Sequence, residues 1–250
     1  MPKPLSMSTF FRMTPNIMLA EFFGRFEADI TPSDWDGIKE HDVDFLLRRL
    51  ANIDDELVKN HIERTIHDIS ALACKDGMAA FHEAALYCNR PDWLHDLPKK
   101  GNYPTAMHAW LRYPKLFESA MANFRFSGLN YWRRRAHLPL FVPKLTDEKV
   151  AALQETLEVF FEERQGRGRV CTVDLYDRGN GMYYFTARPD DYVEEVLVHD
   201  ESKSLTSQTL CKTFEVILAY DSRRGCCDLF AKVPSSLKAD LEQLFLETIL

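Results

Sequence analysis

The fold of this chain is decided by residues 169–188, which read RVCTVDLYDRGNGMYYFTAR. Two stretches, 169–177 and 181–188, alternate between apolar and polar side chains and flank the turn RGN at 178–180. A period of two is typical of a β-strand, and a short glycine-bearing turn between two such stretches predicts a hairpin. We therefore expect this segment to begin an antiparallel sheet.

Further stretches downstream extend the predicted sheet. A shorter strand is predicted over 192–200 (YVEEVLVHD), and a second hairpin where 213–221 (TFEVILAYD) and 226–233 (CCDLFAKV) flank the turn SRRG. The polar segment HDESKSLTSQT, 199–209, is interpreted as a loop that follows the shorter strand. Residues 169–233 should then form about five strands, alternating as though one face of the sheet were solvated.

Two predicted helices flank the sheet along the chain. The first covers about 146–164, with Thr146 as its N-cap and Gly166 at its end, and the second follows Ser235 and covers 236–250. Each carries a single apolar stripe that must be buried, so we expect both helices on the same face of the sheet. The fold class predicted for this half of the chain is α+β.

The residues before the sheet are predicted to be helical. Thr14-Pro15 is a good helix start, and the apolar stripe that follows it runs to about Ala28. Apolar residues spaced by three to five predict a helix over about 54–75, which Gly77 is placed to end. A further helix is predicted over 78–88.

Helical spacing resumes at Thr105, and Pro114 predicts a kink or a junction between two shorter helices. The domain organisation predicted is a helical region over 1–140 and an α+β unit over 146–250. Two alternatives stay open. The chain could form one continuous domain, or it could be a fragment of a longer chain, because the last apolar helix runs to the final residue without a polar tail.

Composition places the chain among ordinary globular proteins. Of its 250 residues, 46% are hydrophobic and 28% are charged, and no apolar run approaches the roughly 20 residues that a membrane span needs. The six cysteines have no repeating spacing, which favours buried thiols of a reducing compartment over a disulfide framework. We expect a cytoplasmic, bacterial protein with no membrane partner.

The formal net charge of −7 conceals a strong asymmetry along the chain. Residues 99–145 hold nine lysines and arginines against a single acidic residue, Glu118, whereas the segments before and after them are both strongly acidic. We call residues 99–145 the basic belt. The belt also holds nine aromatic residues, and cations interleaved with aromatic rings are typical of grooves that bind single-stranded nucleic acid.

The belt contains the stretch NYWRRRAHLP at 130–139, in which three arginines follow two aromatic residues. We interpret Trp132 as the buried anchor of a helix end and the three arginines as exposed. Arginine suits bidentate binding of phosphate or carboxylate. The candidate partner-binding residues are Arg112, Lys115, Arg125, Arg133, Arg134 and Arg135.

Three classes of partner are compatible with the belt. Its cations could pair with the acidic segments of the same molecule or of a second subunit, with nucleic acid, or with an acidic protein. The aromatic residues from Trp110 to Phe124 share one helical face, which is typical of a core stripe and leaves only the cations outside. We therefore expect a non-enzymatic interaction or regulatory module whose partner is a protein or a second copy, with nucleic-acid binding as an alternative.

One stretch resembles a catalytic motif. Pro189-Asp190, followed by Glu201-x-Lys203, resembles the PD-(D/E)xK nuclease superfamily over about 15 residues. The resemblance implies a metal-dependent nuclease in which Asp190 and Glu201 hold a magnesium ion and Lys203 assists the attacking water. We expect the three residues not to converge, because Glu201 and Lys203 follow the end of the predicted strand.

Other catalytic patterns are not present in the sequence. Cys74, His82, Cys88 and His95 contain no C-x-x-C pair that would anchor a zinc site, and no G-x-S-x-G elbow occurs. The glycines at 166–168 lead from a helix into a strand, the reverse of the order that a phosphate-binding loop needs. We therefore predict no metal and no cofactor.

Overall fold

The computed structural model describes residues 6–26, 35, 37–95, 97, 100–130, 132–140, 142–179, 181–200 and 202–250. The chain divides into two compact units between Gly128 and Leu129, inside the basic belt. None of the helices described is long and apolar enough to cross a membrane.

The N-terminal unit consists of helices in the part of it that the structure describes. They are α1 (Met7–Met13), α2 (Asn16–Phe23), α3 (Val43–Ala51), α4 (Glu56–Leu72), α5 (Lys75–Tyr87), α6 (Asn102–Arg112) and α7 (Pro114–Ser127). The helical character predicted for this region is confirmed, although α1 and α3 were not predicted. The predicted end near Ala28 lies outside the described residues.

The junctions between these helices follow from particular residues. Pro114 occupies the first position of α7, so the predicted junction is confirmed. Gly77, however, does not end a helix but lies in the first turn of α5, where its backbone N–H donates to the Cys74 sulfur at 3.4 Å. A side chain at this position would collide with the backbone of Leu72, so α4 and α5 approach more closely than any other residue would allow.

The core of the N-terminal unit is rich in aromatic rings. Phe10, Phe11, Phe22 and Phe23 are fully buried. The aromatic residues of the predicted stripe in the basic belt belong to the same core: Phe117 is buried, and Trp110, Tyr113 and Phe124 are half-buried against it. The interpretation of these rings as a core stripe is confirmed.

The C-terminal unit has the predicted α+β fold. Its elements are β1 (Arg133–Arg135), α8 (Asp147–Gln165), β2 (Cys171–Gly179), β3 (Met182–His199), β4 (Leu205–Thr213), β5 (Val216–Asp221), β6 (Cys226–Ala231) and α9 (Ser235–Ile249). The strands lie in the order β1-β6-β5-β3-β2, β4 pairs with β3, and all the pairs are antiparallel. Thr146 and Gly166 delimit α8 as predicted.

Helices α8 and α9 cover the same face of the sheet, as predicted. Leu157 and Phe161 of α8 and Phe245 of α9 share one core with the inward side chains of β3, β5 and β6. The expectation that the other face is solvated is wrong at the centre of the sheet, because all six residues of β5 are buried. Its run of consecutive apolar residues, VILAY, is typical of a strand buried on both faces.

Strand β3 is much longer than its neighbours in the sheet. Its first half pairs with β2 and β5, and its second half, beyond a register shift between Asp190 and Val193, pairs with β4. The predicted loop at 199–209 is therefore wrong over 205–209, which belong to strand β4, whereas the residues described between His199 and Leu205 lie in neither strand. We call residues 193–211, which extend past the register shift, the β-arm.

A tight turn closes the tip of the β-arm. The Asp200 carboxylate accepts hydrogen bonds from the backbone N–H groups of Ser202 and Ser204, both at 2.9 Å. These bonds lower the pKa of Asp200, the Ser202 hydroxyl bond most of all. Lys203 adopts the left-handed conformation, with φ of 62°.

Candidate functional site

The three consecutive arginines form an edge strand of the sheet. Strand β1 runs antiparallel to β6, with Arg134 opposite Asp228 and Arg135 opposite Cys227. The interpretation of this run as a helix end is therefore wrong. Side chains alternate across a strand, so Arg133 and Arg135 reach α9 while Arg134 lies on the other face with Asp228.

On the α9 side, the arginines meet a buried carboxylate. Arg133 Nε lies 2.9 Å from Oε1 of Glu242, whose side chain is only 4% exposed. The contact is an ion pair without hydrogen-bond geometry, and that oxygen has no hydrogen-bond partner among the described residues. Arg135 donates from Nη1 to Oε1 of Gln243 at 3.0 Å.

On the other face, Arg134 makes a bidentate pair. Its Nε and Nη2 atoms donate to the two carboxylate oxygens of Asp228 at 2.7 and 2.6 Å. The hydrogen bond to Asp228 raises the pKa of Arg134, which stays charged in any case. Arg133 and Arg134 are exposed, Arg135 is half-buried, and Trp132 is half-buried with its ring 5.8 Å from that of Phe230.

The other candidate residues of the basic belt lie in the N-terminal unit. Arg112 donates to both carboxylate oxygens of Glu21, and this hydrogen bond lowers the pKa of Glu21. Arg125 is half-buried in the last turn of α7, and Lys115 is exposed in its first turn. Pairing within the chain, one of the alternatives left open by the sequence, therefore holds for Arg112, Arg133 and Arg134.

The residues that resemble a nuclease motif are not gathered together where the structure describes them. Asp190 is half-buried at the base of the β-arm, where its backbone N–H donates to the Val170 carbonyl at 2.9 Å. Lys203 is exposed in the turn at the tip. The strand between them spans about 30 Å at roughly 3.3 Å per residue. Glu201 lies outside the described residues.

The described parts of the chain contain no cluster of metal ligands, and the buried Cys171 is not an activated cysteine. No group of three or more His, Cys, Asp or Glu side chains there could hold a metal ion. All six cysteines are free. Burial, helped by the nearby carboxylate of Glu158, raises the pKa of the Cys171 thiol to about 12, which is the opposite of what a nucleophilic cysteine needs.

A cleft of about 280 Å³ opens beside α4 in the N-terminal unit. Trp110 and Phe117 contribute apolar surface to it. Arg64 and His61 line it together with Asp68 and Glu118, so acidic and basic groups are mixed. The mixed charges of the lining therefore do not indicate which class of ligand the cleft would bind.

The β-arm exposes apolar side chains that sequence analysis did not single out. Val193 is 65% exposed, Leu197 70% and Leu205 60%. Val193 pairs with Cys211, Leu197 with Ser207, and His199 with Leu205, so all three apolar residues project from the same face of the arm. The stretch YVEEVLVHD does indicate exposed apolar side chains, since its apolar residues fall on both faces of a predicted strand.

The base of the β-arm is fixed by a single arginine. Arg167, whose side chain is 11% exposed, donates to Asp191 at 2.5 Å and to the side-chain oxygen of Gln165 at 2.8 and 3.0 Å. Its guanidinium also stacks 3.8 Å from the ring centre of Phe214, at the end of β4. The Tyr192 hydroxyl donates to the Gln165 carbonyl at 2.8 Å. The arm therefore leaves the sheet in a defined direction.

The chain matches no known protein family, no curated protein and no solved structure.

Proposed function

We propose that this protein is a non-enzymatic interaction module that binds a protein partner through the β-arm. The observation that carries the proposal is the set of apolar side chains on one face of the arm, Val193, Leu197 and Leu205, each at least 60% exposed. Single exposed apolar residues are common on protein surfaces, but several on one face of a strand pair, with Leu197 and Leu205 as diagonal neighbours, are typical of an interaction site.

The construction of the β-arm indicates what kind of partner it binds. The arm consists of two strands, β3 and β4, and two-stranded sheets are at best marginally stable in water unless a third strand or a helix covers them. Strand β4 pairs with β3 on one side, and its outer edge has no neighbouring strand among the described residues. An extended segment of a protein added at that edge would complete its backbone hydrogen bonds.

Binding of an anionic partner by the basic belt remains the alternative proposal and has less support. Arg112, Arg133 and Arg134 each face a carboxylate of their own unit, so an anion would compete with an existing ion pair. The exposed Lys115 favours the alternative, but by itself it gives weak binding. We also propose a cytoplasmic location, because unpaired cysteines are typical of a reducing compartment.

Site-specific photocrosslinking tests the proposal. A photoreactive phenylalanine analogue placed at Leu197 should yield covalent protein adducts in cells of the natural source, and these should disappear when Leu205→Asp is added. The matched control carries the same group at Val159, an apolar residue of α8 that is 56% exposed. Equal adducts from both positions, or none from Leu197, would overturn the proposal.

A further inference from the structure

The β-arm presents one strand edge that differs from all the others in the C-terminal unit. Outer edges without a neighbouring strand in the described residues belong to β1, β2, β4 and the second half of β3. Three of these strands carry charges, which are Arg133 to Arg135 on β1, Asp174, Asp177 and Arg178 on β2, and Glu194 and Glu195 on β3. Charges on edge strands prevent pairing with other chains.

Strand β4 lacks this protection. Between Leu205 and Cys211 it contains no charge, no proline and no glycine, and four of the seven residues are threonine, serine or glutamine. The one charged residue of the strand, Lys212, is already paired with Glu194 of β3. An edge that is long, neutral and regular is a template for pairing with another strand.

We infer that the strand added to this edge is β4 of a second copy of the chain, so that the β-arms form a two-fold symmetric dimer. The inference rests on the proposed function and names the partner that pairs with the open edge of β4. A two-fold axis makes the two strands antiparallel, with the residue numbers of each opposed pair adding to a constant. Only an axis at Thr209 pairs every residue of β4, from Leu205 opposite Thr213 to Ser207 opposite Cys211.

The backbone of β4 is oriented for this pairing. The N–H of Asp200 donates to the Ser204 carbonyl at 2.9 Å, and the N–H of Phe214 donates to the Pro189 carbonyl at 3.0 Å. Because inward and outward groups alternate along an antiparallel strand, the even-numbered residues of β4 face β3. The N–H and C=O groups of Thr209 therefore face the open edge, where two copies can exchange hydrogen bonds.

Charges do not oppose the dimer. In this register Lys212 lies opposite Thr206, so no like charges meet across the new pair of strands. The acidic strand β3 of each copy is separated from the other β3 by both β4 strands. Three spacings of roughly 4.8 Å place the two β3 strands about 14 Å apart. That distance exceeds the screening length of about 8 Å at physiological salt. Val193, Leu197 and Leu205 of both copies then lie on one face of a four-stranded sheet.

Sedimentation velocity of the purified full chain over a concentration series tests the inference. We expect a species of twice the 29.0 kDa chain mass. Thr209→Pro removes an outward N–H and should give the monomer with an unchanged circular-dichroism spectrum. The control Leu175→Pro alters an outward position of the charged edge strand β2 and should leave the dimer intact. A monomer throughout the series, or a dimer that survives Thr209→Pro, would overturn the inference.

The register has its own test. Opposed residues in a hydrogen-bonded antiparallel pair have Cα atoms about 5.5 Å apart, which suits a disulfide. Ser207→Cys should therefore form a covalent dimer with Cys211 of the other copy when oxidised glutathione is added, while the wild type should not. A dimer without this crosslink would overturn the two-fold axis at Thr209. Crosslinking of Leu197 to a different protein, with a monomeric purified chain, would reject the self-pairing and leave the proposed function standing.

Discussion

Arg133 at the edge of the sheet and Glu242 on α9 form an ion pair, with Nε 2.9 Å from Oε1, in which the carboxylate is buried and the guanidinium is 44% exposed. Removing one member of such a pair leaves the other unpaired, and a buried charge without a partner is strongly destabilising. The ion pair thus ties β1 to the last helix of the chain.

We expect Arg133→Ala to lower the free energy of unfolding by about 2–3 kcal/mol, less than for a fully buried pair because Arg133 is partly solvated. The double variant Arg133→Met/Glu242→Leu should recover most of this loss, since no charge is then left buried. Urea denaturation monitored by circular dichroism measures the free energy of unfolding of the single and the double variant. Equal losses in the single and double variants would contradict the ion-pair explanation.

The arginine run also gives a prediction for nucleic-acid binding. Because Arg133 and Arg134 face carboxylates of their own unit, we expect the triple variant Arg133/Arg134/Arg135→Ala to be less stable and to bind oligonucleotides no more weakly than the wild type. Fluorescence anisotropy with single-stranded and duplex oligonucleotides over a salt series measures this. A salt slope reduced by roughly 0.7–0.9 for each arginine removed would instead show phosphate contacts.

The contact between Arg167 and Asp191 at the base of the β-arm should depend on pH. Burial alone would raise the pKa of Asp191, but hydrogen bonds from Arg167 and from the Tyr192 backbone lower it below the ordinary value of 3.8. A carboxyl whose pKa is lowered by folding stabilises the fold above its unfolded pKa and loses that contribution as pH falls. The stability difference between wild type and Asp191→Asn should therefore be largest near neutral pH and shrink below about pH 4. A constant difference down to pH 2 would contradict this.

Glycine 77 gives a test of how closely α4 and α5 approach. Alanine normally stabilises a helix relative to glycine by about 1 kcal/mol, but a side chain here would collide with the backbone of Leu72. We expect Gly77→Ala to destabilise the protein by about 2 kcal/mol. Gly128→Ala is the matched control, because its added methyl group meets the nearest atoms at 3.6 Å, an ordinary contact. Thermal unfolding compares the two.

Thiol reactivity should separate the cysteines by their environment. Cys211 is exposed on β4, whereas Cys171 and Cys227 are buried and burial raises the pKa of both thiols. Native protein treated with iodoacetamide at pH 8 should be alkylated first at Cys211, with Cys171 and Cys227 protected until the protein unfolds. Mass spectrometry of the peptides gives the order, and early alkylation of Cys227 would show that the sheet opens.

Sequence analysis predicted the elements in which the spacing of apolar residues shows which side chains are buried. The stripe of α8, with Thr146 before it and Gly166 after it, required no information from distant parts of the chain. The same holds for the hairpin of β2 and the first half of β3, where a glycine-bearing turn separates two stretches of strand-forming residues, although Tyr183 to Ala187 are buried on both faces of the sheet. These local signals were enough for the α+β fold.

The missed elements depend on partners that are distant in sequence or on surfaces that are not buried. Strand β1 consists of three arginines, which have no preference for strands, and it exists because β6 lies beside it. Strand β4 is exposed at every position except Leu210, which is half-buried, and its sequence carries no alternation. The candidate site was missed because the apolar residues of the predicted strand 192–200 fall on both of its faces, and periodicity detects strands with one buried face.

The pairing of β1 with β6 has a consequence for biosynthesis. Residues 133–135 leave the ribosome long before residues 227–229, their partners in the sheet, and between them the chain must produce α8 and four strands. Such a distant contact forms late, so the sheet is completed only after residues 226–231 have been made. During that interval residues 133–135 have no partner strand. Their three charged guanidinium groups favour hydration of the segment and oppose its pairing with other nascent strands.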